Sequence, residues 1–115
     1  MRNSLAFDCD GTIFADAFPG IGAVEDIHKL AHEYIRMRHA QGWACIIWTC
    51  RENIPDKGNY LDDAINFCKE NDIPFDYVNE NPEGDFGRPD LVRKIWCTEY
   101  LDDKAVNPLS LQTHI

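Results

Sequence analysis

The chain of 115 residues carries 20 Asp and Glu against 11 Lys and Arg, a formal net charge of −9. That length fits one compact domain, and a composition of 44% hydrophobic and 11% aromatic residues supplies a core and argues against a wholly disordered chain. The acidic excess argues against a nucleic-acid backbone or an anionic membrane surface as the main partner, since both demand a basic face, and it obliges any site for an anion to supply local positive charge.

No stretch approaches the ~20 uninterrupted apolar residues that span a bilayer. The start, Met1 to Asp8, meets an aspartate too early for the apolar core of a secretory signal, so a cytoplasmic location is expected. The five cysteines, Cys9, Cys45, Cys50, Cys68 and Cys97, are odd in number and contain no C-x-x-C pair, so they suggest neither a disulfide framework nor a zinc ribbon. They read as reduced thiols packed as small hydrophobes.

Ser4 to Phe7 is an apolar run that stops at Asp8-Cys9-Asp10-Gly11-Thr12, the pattern of a buried strand ending in a polar turn. Pro19, Gly20 and Gly22 punctuate a loop. From Val24, the apolar positions Val24, Ile27, Leu30, Ala31, Tyr34 and Ile35 recur at helical spacing until Gly42 supplies a stop, which predicts one amphipathic helix. Trp43 to Trp48 is apolar throughout, as expected of a strand buried on both faces, and ends at Thr49. A polar loop with Pro55 and Gly58 leads to a second helix, in which Leu61, Ala64, Ile65 and Cys68 form the apolar stripe and Asn71-Asp72 the close. Phe75 to Val78 alternates as a short strand, and Asn79 to Asp90, rich in Pro, Gly, Asn and Asp, is the longest irregular segment. Leu91 to Ile95 reads as a helical turn, and Thr98 to Leu101 as a weaker strand running into Asp102-Asp103.

Strands alternating with helices on short connections predict an α/β fold, a small parallel sheet flanked by helices on both faces. In such sheets the functional crevice lies beyond the carboxyl ends of the strands. Asp8, Asp10, Thr49, Asp102 and Asp103 are the residues expected there. Four carboxylates so gathered repel one another without a cation, and an all-oxygen donor set suits a hard ion, Mg²⁺ above all.

The Asp8-Cys9-Asp10-Gly11-Thr12 segment directly after a hydrophobic strand resembles the nucleophile motif of the haloacid dehalogenase (HAD) superfamily, mostly phosphatases. Thr49 resembles that family's second motif, Lys94 its motif-three lysine and Tyr100-Leu101-Asp102-Asp103 its acidic fourth motif, so the resemblance spans roughly residues 4 to 104. It implies a Rossmannoid three-layer fold and a Mg²⁺-dependent phosphomonoesterase. Asp8 would be the nucleophile that becomes an aspartyl phosphate, and Asp10 the general acid and then the base that activates water. Thr49 and Lys94 would meet the phosphoryl oxygens. Mg²⁺ would be held by the Asp8 carboxylate, the Asp10 backbone carbonyl and Asp102, with Asp103 bound through water or orienting the others. Gly11 would let the chain bend away from the strand and the Thr12 hydroxyl would support the loop. Cys9 stands where a larger hydrophobic residue is more usual and invites oxidation, and Arg51, just past Thr49, competes with Lys94 as the phosphate-side cation.

Counting residues leaves no room for a cap domain of ~50 residues or more, either between Asp10 and Thr49 or between Thr49 and Lys94, so residues 1–115 read as one capless domain. An open site implies a bulky phosphorylated substrate or a lid supplied by a partner subunit in a homo-oligomer, with Phe14 to Gly22 and Asn79 to Gly87 as the local lid candidates; small phosphorylated molecules remain open as substrates. Two other classes compete: a catalytically silent HAD-like binding protein, and a receiver-like phosphoacceptor module. The second places its acceptor aspartate after a middle strand, whereas here that strand ends in Thr49.

His28 and His32 lie four apart on the first helix without a third ligand nearby, and with His39 and His114 they read as solvent-facing. Cys45 and Cys50 read as packing residues, Trp43, Trp48 and Trp96 as core or sheet-edge aromatics, and Leu109 to Ile115 as a tail.

Overall fold

Every residue of Ser4–Phe7 and of Ala44–Ile47 is buried, which requires a strand covered on both faces and accounts for the unbroken apolar runs. The computed structural model describes residues 3–80 and 97–102 and the backbone of 106–108. The elements run β1 (Ser4–Phe7), α1 (Asp26–Ala40), β2 (Ala44–Ile47), β3 (Asn53–Ile54), β4 (Gly58–Asn59), α2 (Tyr60–Glu70), β5 (Tyr77–Val78), β6 (Glu99–Leu101) and β7 (Val106–Pro108). The expected helical turn at 91–95, Lys94, Trp96, Asp103, His114 and the tail from Leu109 lie outside the described residues.

The main sheet has the order β5-β2-β1-β6-β7. β1 pairs in parallel with β2 and β6, and β2 in parallel with β5, while β7 joins β6 antiparallel. Four parallel strands flanked by helices make this an α/β protein compatible with a Rossmann-like three-layer fold, although among the described residues both helices, α1 and α2, lie on one face of the sheet and not on both as expected. The chain moves outward from β1 through β2 to β5, then returns to the other side of β1, so the strand order reverses beside β1. The antiparallel edge β7 and the β3–β4 hairpin were not expected: two-residue polar strands such as Asn53–Ile54 have no periodicity to read.

Period-two alternation sends Leu5, Phe7, Cys45, Ile47 and Leu101 to one face, where they pack with Ala31 and Ile35 of α1 and Ala64 and Cys68 of α2. Ala6 and Ile46 point the other way and pack with Cys97, Trp48, Tyr77 and Tyr100.

Helix α1 corrects the expected stripe. Its buried face is His28, Ala31, His32 and Ile35, whereas Ile27 and Leu30 are 62% and 64% exposed. The helix is turned by about one residue from the apolar stripe because both histidines have partners inside. His28 Nδ1 accepts from the Glu25 N–H at 2.9 Å, closing the first turn. His32 Nε2 lies 2.7 Å from the Ile13 carbonyl, so that nitrogen carries the hydrogen, and burial lowers the ring's pKa. The expectation of solvent-facing histidines therefore fails for both. His39, half exposed, faces Asp76 at 3.7 Å. Arg36 donates to the carbonyls of Asn71 and Asp72, which fastens α1 to the end of α2.

Candidate functional site

Strand register fixes what lies level at the carboxyl edge. Phe7 stands opposite both Ile47 and Leu101, and Ile47 opposite Val78. The next residue on each outer strand is therefore Asp102 or Asn79, with Asp8 on β1 between them and Thr49 one step further along from Trp48. Neighbouring strands run about 4.8 Å apart, so Asp8 and Asp102 leave adjacent strands side by side at the point where strand order reverses. The Asp8 N–H donates to the Leu101 carbonyl at 3.1 Å and fastens the two ends together. Fields from both carboxylates reach Tyr100, whose pKa rises mainly through burial and further through Asp8 and Asp102.

After Asp8 the chain turns sharply. Asp8 Oδ1 accepts from the Cys9 N–H at 2.8 Å, and the N–H groups of Thr12 and Ile13 both donate to the Cys9 carbonyl. Gly11 has φ of +84°, a left-handed conformation that glycine adopts without the penalty of a Cβ, so the expected bend falls at that residue. The Thr12 hydroxyl does not support the loop as expected: it is buried with no hydrogen-bond partner among the described residues. Support comes instead from His32 through the Ile13 carbonyl. Cys9 is fully buried, and burial drives its thiol pKa far up, so it is an inert packing residue and not an oxidisable one. Cys50 reverses its expectation too, being exposed.

Asp10 meets Arg51. Arg51 Nη2 donates to Asp10 Oδ1 at 2.7 Å and Nε to Oδ2 at 2.9 Å, a two-point ion pair. Nη2 also donates to the Gly20 carbonyl at 2.7 Å, and Nη1 to the carbonyls of Pro19 and Tyr60, both at 3.3 Å. All five N–H groups of the guanidinium are thus engaged, and its side chain is 1% exposed. The pair with Asp10 raises the Arg51 pKa. In this arrangement Arg51 has no donor left for a further ligand.

Thr49 is held from two sides. Its N–H donates to Asn79 Oδ1 at 2.8 Å, and its hydroxyl oxygen accepts from the Arg51 N–H at 3.1 Å, leaving the hydroxyl hydrogen to point elsewhere. Asn79 is itself fixed by an N–H bond of 2.7 Å to the Ile47 carbonyl, with φ of +51°, a region that Asn tolerates better than most residues. Sequence reasoning placed Asn79 only at the start of an irregular segment; its position directly after a short strand was the available signal.

The donor chemistry fits a hard cation. Asp8 and Asp102 contribute carboxylate oxygens from adjacent strands, and the one thiol between the aspartates, Cys9, is held neutral by burial. Among the described residues no group of three or more His, Cys, Asp or Glu forms a metal cage, and Asp103, the expected further member, lies outside them. Asp10, through its carboxylate, is committed to Arg51.

No family model matches the sequence, and no curated protein matches it. A solved structure described as that of a conserved protein coded by a locus from Bacteroides thetaiotaomicron is similar, with a TM-score of 0.69 and 28% identity over 90% of this chain and 78% of that one. The likeness supports the α/β fold described above. No helix among the described residues is long and apolar enough to cross a membrane.

Proposed function

We propose that this protein is a Mg²⁺-dependent phosphomonoesterase of the HAD type, acting through an aspartyl phosphate on Asp8. One observation carries the reading: the strand register brings Asp8, Asp102 and Thr49 to one edge at the reversal of strand order, with Asp10 fixed two residues past Asp8.

Asp8, on the turn after β1, attacks phosphorus through a carboxylate oxygen, forming a P–O bond as the bond to the leaving oxygen breaks. Asp10, after releasing one contact to Arg51 and taking up a proton from solvent, hands that proton to the leaving oxygen. Water then attacks the phosphorus of the aspartyl phosphate while Asp10 takes a proton from it, and release of phosphate restores the Asp8 carboxylate. Because Arg51 holds both oxygens of Asp10, each proton transfer requires one of the two contacts to open; Arg51 keeps Asp10 in place between transfers. The Thr49 hydroxyl donates to a phosphoryl oxygen, and Lys94 adds charge there. Mg²⁺, held by Asp8 and Asp102 together with Asp103 and the Asp10 backbone carbonyl, would neutralise phosphoryl charge that an acidic chain otherwise repels.

The test is hydrolysis of p-nitrophenyl phosphate and of a panel of phosphorylated metabolites by the purified protein with Mg²⁺ or with EDTA. Hydrolysis should require Mg²⁺, and Asp8→Asn should remove it while the thermal melt stays in place. Wild-type turnover by that variant would falsify the nucleophile assignment, and no release of phosphate from any ester would favour a silent binding protein.

A further inference from the structure

We infer that Phe18 and Tyr60 form an aromatic shelf on the leaving-group side of the site and that the ester it takes is a nucleoside monophosphate. The inference rests on the phosphomonoesterase reading and names its substrate class.

Phe18 is 55% exposed, yet its ring is not loosely presented. It packs on Tyr60 with centroids 5.2 Å apart and planes tilted by 60°. The loop behind it is closed at its base by the Ala15 N–H bond to the Ala23 carbonyl, 2.8 Å, and crossed by the Gly20 N–H bond to Ala17, 2.9 Å. Gly22 packs so tightly there that a Cβ would fall 1.8 Å from the Ala15 carbonyl oxygen. Arg51 then grips the carbonyls on either side of the Pro19–Gly20 bond. An aromatic ring is therefore held in solvent by a loop fixed at base and middle, a preorganised surface for stacking.

Its direction follows from Asp10. The group that protonates the leaving oxygen faces the leaving group, and Asp10 is joined through Arg51 to this loop: the guanidinium carbon lies 5.2 Å from the Phe18 ring centre. The width of a guanidinium thus separates Asp10 from the shelf. A ring carried on a sugar stands further from the ester oxygen than a ring bonded directly to it, which suits a shelf set a guanidinium away from Asp10. Stacking on an aromatic face suits any nucleobase. The net charge of −9 disfavours the repeated phosphates of a polynucleotide and leaves the single phosphate of a mononucleotide as the better match.

The experiment compares kcat/KM for adenosine and uridine 5′- and 3′-monophosphates with that for ribose 5-phosphate, in wild type, Phe18→Leu, Phe18→Trp and Tyr60→Leu, each checked by thermal melt. The wild type should prefer a nucleoside monophosphate by about tenfold or more, Phe18→Leu and Tyr60→Leu should bring the ratio toward one, and Phe18→Trp should keep it. If the shelf serves only to cover the Arg51–Asp10 pair, Phe18→Leu lowers both esters equally; that result, or a wild type without preference, overturns the shelf and leaves the phosphomonoesterase reading standing. Failure to hydrolyse any ester overturns the reading and the shelf with it.

Discussion

Arg51 and Asp10 stand 41 residues apart in sequence and meet at both carboxylate oxygens, at 2.7 and 2.9 Å. Through the same guanidinium the loop at Pro19 and Gly20 and the first residue of α2, Tyr60, are tied to the turn that follows β1. One side chain thereby joins three segments, two of which also meet through the Phe18–Tyr60 ring contact, and it does so from a buried position in which water cannot substitute for lost contacts.

Removing that side chain strands the carboxylate. Arg51→Met should cost about 2–3 kcal/mol in urea denaturation, less than a fully buried pair because Asp10 retains 21% exposure. Asp10→Asn added to Arg51→Met should recover part of the loss, since no unpaired charge then remains. Strictly additive losses in the double mutant would show that the pair is not energetically coupled. Arg51→Lys should fall short of wild type in both stability and turnover, because an ammonium cannot supply five planar donors.

Asp10 itself should reveal its role through leaving groups. Asp10→Asn should slow hydrolysis of an alkyl phosphate by about 10²–10⁴-fold, while p-nitrophenyl phosphate, whose leaving oxygen needs no proton, should lose far less. Equal losses on the two esters would remove Asp10 from the general-acid role and confine it to activating water in the hydrolytic step both esters share.

The parts of this molecule that were legible in the sequence are those whose signal is local. The apolar runs of β1 and β2 and the stripe of α2 report burial directly, and the acidic turn at the end of β1 needs only the strand before it to be placed. The orientation of α1 was not legible. Ile27 and Leu30 advertise a core face, but His28 and His32 turn inward because the Glu25 N–H and the Ile13 carbonyl give them partners, and those partners are fixed by the loop and not by helical spacing. The Arg51–Asp10 pair was equally hidden: Arg51 was recognisable as a cation near the site, but its destination depends on where the Pro19–Gly20 loop folds. Asn79 carried no motif at all, only a place after a two-residue strand.

Asn79 should prove to be a positioning residue for Thr49. Asn79→Gly keeps the left-handed backbone while deleting the acceptor for the Thr49 N–H, so the fold should remain and kcat should fall about tenfold with smaller change in KM. Asn79→Asp, which retains an oxygen at the same place, should recover most of that loss. If Asn79→Gly keeps the wild-type kcat, Thr49 is held well enough by Arg51 and β2 alone.

His32 links acid sensitivity to the turn at the site. Burial lowers its pKa from the ordinary 6.5, with Arg36 and His28 acting in the same direction against the opposing bond to the Ile13 carbonyl. The unfolded chain therefore binds a proton near pH 6.5 that the folded chain takes only at lower pH. In the interval between, the unfolded state holds more protons, so stability falls as pH drops below 6.5 and levels off below the folded-state pKa; above 6.5 this contribution is fully present. The slope from this single group is at most about 1.4 kcal/mol per pH unit. Urea denaturation between pH 7.5 and 5 should show that loss in the wild type, and His32→Gln, whose amide can still donate to the Ile13 carbonyl, should flatten the dependence by the His32 share. Protonation leaves the Nε2 bond to the Ile13 carbonyl intact and puts a charge on a buried ring beside the turn after Asp10, so the cost is desolvation; as the folded fraction falls, turnover should decline over the same interval in the wild type more steeply than in His32→Gln. Identical pH profiles for the two proteins would disconnect His32 from both effects.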